Sequence, residues 1–84
     1  MTAIYTRDDL IRVRCDEVRE CDLLAQGRSL ELGGYTATRV GLSGPVGFKA
    51  DWQEEVWRIE LDGGMAYQAP GRYPILIVAE GAVR

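Results

Sequence analysis

Residues 6–27, TRDDLIRVRCDEVRECDLLAQG, decide how the rest of this 84-residue chain is read. Two periodicities compete in them. Ile11, Cys15, Val18, Cys21 and Ala25 recur at helical spacing, with Leu10 on the flank. Thr6 stands where an N-cap residue stands, with Asp9 three residues on, a variant of the capping box. Asp8 and Asp9 fall in the first turn, where the helix dipole favours acids, and Gly27 sits where a glycine ends a helix. Against the helix, Arg14 and Asp22 project onto the apolar arc. Ile11-Arg12-Val13-Arg14-Cys15 also alternates as a half-buried strand does. The helical pattern has more matches, so a helix over residues 6–27 is the expectation and a strand over residues 10–15 the alternative.

Outward from this stretch the chain is β-rich. Leu30 and Leu32 flank Glu31, and Tyr35 to Val40 follows a Gly33-Gly34 pair that suits a turn or a bulge. Ser43-Gly44-Pro45 reads as a loop. Phe48, Ala50 and Trp52 alternate with Lys49, Asp51 and Gln53, and Trp57, Ile59 and Leu61 alternate with Arg58, Glu60 and Asp62. Each alternation predicts one buried and one wet face. Asp62-Gly63-Gly64 is a hairpin signal and Pro70-Gly71 a further turn. Ile75 to Val78 lacks alternation, which predicts a strand covered on both faces, in the middle of the sheet. The sum is a single α+β domain over residues 1–84, with one N-terminal helix packed on a mostly antiparallel sheet of about five strands. If residues 10–15 form a strand instead, the same pattern closes into a small all-β barrel.

Composition excludes much chemistry. The chain has no histidine, one lysine (Lys49), and 13 acids against 10 bases. The usual neutral-pH proton shuttle is therefore missing. Cys15 and Cys21 are too far apart to bridge, about 9 Å along a helix and further in a strand, and acids surround them. Acidic neighbours raise a thiol's pKa, so neither is an activated nucleophile. Ser29 and Ser43 lack a nucleophile-elbow motif. Gly41, Gly44 and Gly47 precede Lys49, but no Ser or Thr follows the lysine and no P-loop results; these glycines read as a flexible loop. Asp16, Glu20 and Asp51 are hard oxygen ligands without EF-hand spacing. No enzyme activity, cofactor or metal site is expected. A net charge of −3 opposes direct nucleic-acid binding, and packing accounts better for Trp52, Trp57 and Phe48. No apolar run is long enough to span a membrane, and residues 1–9 lack the pattern of a secretory signal, which makes the cytoplasm the expected location.

The acids remain. On a helix, Asp9, Asp16 and Glu20 fall within about 40° of one another, opposite the apolar arc. Asp51, Glu54 and Glu55 form a second cluster, without an arginine beside it in sequence. These six residues are the candidate partner-binding set, suited to a protein with a basic surface. In size, acidity and lack of catalytic groups the chain resembles the small inhibitors encoded by phages and mobile elements, such as anti-CRISPR proteins. The resemblance covers bulk properties and no motif. It implies a non-enzymatic monomer or homodimer whose carboxylates block a nucleic-acid-binding effector. The alternative is a small structural or assembly subunit that forms a homo-oligomer, favoured by a thin core and exposed strand edges.

Overall fold

A computed structural model describes residues 3–83. Its architecture is all-β: six strands, β1 (Leu10–Arg14), β2 (Leu23–Ser29), β3 (Gly34–Lys49), β4 (Glu54–Leu61), β5 (Ala66–Pro70) and β6 (Pro74–Val78), in the order β1-β6-β2-β3-β4-β5. All pairings are antiparallel. The helix expected over residues 6–27 is absent, and with it the α+β class. The longest helical stretches among the described residues are 3-10 turns of three residues. The strand alternative over residues 10–15 is the reading that matches β1.

The physical reason lies in where the acids put their hydrogen bonds. Thr6 N–H donates to Asp9 Oδ2 at 2.8 Å, Arg14 N–H to Glu17 Oε1 at 2.8 Å and Arg19 N–H to Asp22 Oδ2 at 2.9 Å. Each acid satisfies a backbone donor three residues earlier, as the reciprocal half of a capping box does. The Thr6–Asp9 signal therefore forms as read, but it closes one 3-10 turn, Arg7–Asp9, and no helix follows. Cys21 then takes a φ of 72°, a left-handed conformation that an α-helix excludes. Tertiary pairing overrides the helical spacing: Ile11 and Val13 oppose Ile77 and Ile75 of β6.

The sixteen-residue β3 organises the sheet. Its first part pairs with β2 and the remainder with β4, and the register shifts between Val40 and Leu42 and between Pro45 and Gly47. Such bulges bend a strand. Ser43-Gly44-Pro45 and the glycines 41, 44 and 47 are thus part of this bent strand and not of a loop. The bend folds the sheet over a core of Cys15, Val18, Leu24, Val40, Ile59, Leu61 and Ile77. The alternation of Trp57, Ile59 and Leu61 holds: Ile59 and Leu61 are buried and Trp57 packs against them. That of Phe48, Ala50 and Trp52 fails, because β3 ends at Lys49 and Ala50–Trp52 is a 3-10 turn, leaving Phe48 67% exposed. The hairpin turn at Asp62-Gly63-Gly64 is present, with φ near 95° at both glycines. As expected, β6 lies inside the sheet, between β1 and β2.

Beyond Val56, whose partner is Pro70 of β5, β3 and β4 continue together as a two-stranded arm ending in the Ala50–Trp52 turn. The molecule measures 40 × 24 × 23 Å, with a radius of gyration of 13.3 Å. A compact chain of this length has a radius of about 12 Å.

Candidate protein-binding surfaces

The structure redistributes the six acids. Asp9 caps the first turn. Asp16 lies beside Gly71, its Oδ2 accepting from Arg14 Nη2 at 2.9 Å, while Asp16 N–H donates to the Gly71 carbonyl at 2.9 Å. Glu54 is half-buried and pairs with Arg72 Nη1 at 2.8 Å. Asp51 is exposed on the turn that ends the arm, beside Trp52, whose ring carries Lys49 Nζ at 4.5 Å from its centroid. The stripe of Asp9, Asp16 and Glu20 does not exist, because it required the helix. Instead Asp16 joins Glu54 and Glu55 in one shallow depression, lined also by Arg14, Trp57 and Gly71. Glu20 lines a different hollow with Asp22 and Glu80.

Charge pairing weakens this depression as an acidic site. Glu54 lacks an arginine nearby in sequence, yet the turn after β5 brings Arg72 to it from 18 residues away. Exposed pairs of this kind contribute little stability, about 0–1 kcal/mol, but they cancel local charge.

The cysteines separate. Cys15 is buried and Cys21 exposed. Burial, and secondarily the Asp16 carboxylate, push the Cys15 thiol up to about 11, so it stays protonated and unreactive at neutral pH. Among the described residues no three His, Cys, Asp or Glu side chains gather as a metal site would require. No helix among them is long and apolar enough to cross a membrane.

Sequence reading missed the apolar surfaces. On the second part of β3, Leu42, Val46 and Phe48 are 52%, 55% and 67% exposed. The available signal was the run from Gly41 to Gly47: three glycines and a proline leave its apolar residues without the alternating pattern that a core face needs.

A second apolar surface follows from topology. Though joined to β6 by a short turn, β5 pairs with β4 alone, so the curled sheet stays open along β5. Tyr67 and Ala69 of β5 stand opposite Ile59 and Trp57 and share their core-facing side. Across the gap stand Leu24 and Gln26 of β2 and Ile75 of β6. Together they line a cavity of about 530 Å³ with no charged side chain, spanned by Tyr67 Oη–H donating to Gln26 Oε1 at 3.2 Å.

The chain matches no family model, and neither the curated proteins nor the solved structures contain a significant match to it.

Proposed function

We propose that this chain is a non-enzymatic assembly subunit that associates with further copies of itself through the uncovered apolar residues on the second part of β3. The observation that carries this reading is surplus surface. The chain exposes 5709 Å². A folded monomer of 9.3 kDa exposes about 5,000 Å², so the surplus is about 700 Å². That is close to the roughly 800 Å² each partner contributes to a standard protein interface. Leu42 and Val46 on the second part of β3, and Phe48 at the start of the arm, are apolar and uncovered. A bulge and Pro45 interrupt the free edge of β3, so this part of the strand is suited to side-chain docking rather than to strand pairing.

Light scattering on the unaltered chain and on a Leu42→Ser/Phe48→Ser variant tests the reading. The unaltered chain is expected above 9.3 kDa and the variant at 9.3 kDa, with the same thermal midpoint in dilute solution. A variant that associates as the parent does would remove this part of β3 from the account.

A second reading has one observation in its favour, the meeting of Asp16, Glu54 and Glu55 in one depression. It is an inhibitor that presents these carboxylates to a basic partner, such as a nucleic-acid-binding effector. Binding by such a face weakens with salt, whereas apolar self-association does not.

A further inference from the structure

We infer that the hollow shared by Arg7 and Arg28, beside Tyr35, is a binding site for the phosphate group of a small phosphate monoester. The inference is independent of self-association. Three observations carry it.

First, the fold brings two arginines from separate parts of the sequence to one place. Arg28 on β2 stands directly opposite Tyr35 on β3. On the other edge of β3, Tyr5 bridges Tyr35 through two backbone bonds of 2.9 and 2.8 Å. Arg7 follows Tyr5 by two residues and opens the turn Arg7–Asp9. This close approach depends on Gly34, which is buried and has no room for a Cβ beside the Tyr5 carbonyl. Arg7 and Arg28 thereby line one hollow of about 280 Å³ with Thr6, Tyr35 and the Gly33-Gly34 pair.

Second, the positive charge in this hollow is unanswered. Arg14, Arg39, Arg58 and Arg72 pair with Asp16, Asp62, Glu60 and Glu54. Among the described residues Arg7 and Arg28 have no such partner. Asp8 and Asp9 follow Arg7 in its turn, yet neither lines the hollow. Asp9 Oδ2 instead accepts from the Thr6 N–H at 2.8 Å and from its hydroxyl at 3.2 Å. In a chain of net charge −3, two unpaired guanidiniums in one hollow reverse the sign locally. They repel each other, and an anion between them relieves that repulsion.

Third, the groups present suit a phosphate. A guanidinium offers a planar fork that meets phosphate oxygens in bidentate fashion. A phosphate monoester carries a charge of about −1.5 to −2 at pH 7, which matches two guanidiniums. A carboxylate or a phosphodiester brings one charge. The half-buried Tyr35 supplies an aromatic wall beside them. The volume lies just under the roughly 300–1,000 Å³ of ordinary ligand pockets, room for a phosphate and a single ring.

Titration with phenyl phosphate, followed by calorimetry and by the amide shifts of Gly33, Gly34 and Tyr35, tests the inference. Saturable binding is expected for the unaltered chain. Arg7→Gln and Arg28→Gln are each expected to weaken it about tenfold, the loss of one charge-assisted contact. Arg12→Gln/Arg19→Gln removes two equally exposed, unpaired arginines from outside the hollow and is expected to leave binding nearly unchanged. All four positions are exposed, so the variants keep the fold, which circular dichroism checks. No saturable binding in the millimolar range overturns the site. So does a loss under Arg12→Gln/Arg19→Gln as large as under Arg7→Gln/Arg28→Gln, because net charge and not the hollow would then hold the anion. Dimethyl phosphate, a diester of single charge, is expected not to displace phenyl phosphate; equal displacement overturns the monoester.

Discussion

Removing one hydroxyl, Ser43→Ala, should cost more than a surface substitution, because that hydroxyl joins three parts of the chain. Ser43 Oγ accepts from Trp57 Nε1 at 2.8 Å and donates to the Val18 carbonyl at 2.8 Å. It thus ties β3 to β4 and to the connection between β1 and β2. Each bond contributes about 1 kcal/mol net, and a half-buried indole N–H left without an acceptor costs about 1–3 kcal/mol. The expected loss is about 2–3 kcal/mol. For a domain of this size that lowers the thermal midpoint by about 10–20 °C. Thermal or denaturant unfolding, followed by tryptophan fluorescence and by far-UV circular dichroism, measures it. The informative form is a double-mutant cycle with Trp57→Phe. Without the indole N–H, Ser43→Ala should cost only about 1 kcal/mol, giving a coupling of about 1 kcal/mol or more. Equal costs in both backgrounds would refute the reasoning, because the hydroxyl and the indole would then act independently.

Gly34→Ala places a Cβ 2.6 Å from the Tyr5 carbonyl oxygen and must displace the N-terminal segment, which is held by two Tyr5–Tyr35 backbone bonds of 2.9 and 2.8 Å. A loss of about 2 kcal/mol is expected, whereas Gly44→Ala, which meets no atom within 4 Å, should change the denaturant midpoint little. Cys15 sets an alkaline limit. Its folded pKa, pushed up to about 11 by burial, lies above the ordinary 9.0, so its contribution is complete below pH 9 and is lost as pH rises towards 11. A pH series of melts should show the parent losing stability over that window and Cys15→Ala flattening the decline. Arg72→Ala should cost under about 1 kcal/mol, yet leave Asp16, Glu54 and Glu55 with one fewer neutralising charge. If the depression serves a basic partner, Arg72→Ala speeds association and Glu55→Lys slows it, as stopped-flow or biosensor rates would show.

The parts of the fold legible in the sequence are those set by local pattern. Trp57 to Leu61 alternates and is a half-buried strand, Asp62-Gly63-Gly64 turns, and the unbroken Ile75 to Val78 lies inside the sheet. The N-terminal segment was illegible for a definite reason. Acids three residues after a backbone donor serve a helix start and a lone 3-10 turn equally well, and only the pairing of β1 with β6, about sixty residues away, separates the two. The bend in β3 was hidden too, because bulges at Gly41 and Val46 use the same glycines and proline that mark loops. For the candidate sites, charge was read from sequence but its neutralisation was not: Arg72 reaches Glu54 only through the folded turn after β5. The open gap along β5 leaves no local trace, since it arises from β5 failing to pair with its neighbour in sequence.

Self-association is the central claim, and sedimentation equilibrium of the unaltered chain over a concentration series, at low and at high salt, tests it most directly. The account predicts a weight-average mass that rises above 9.3 kDa with concentration and does not fall with salt, because the contact is apolar. A mass fixed at 9.3 kDa across the series would contradict it.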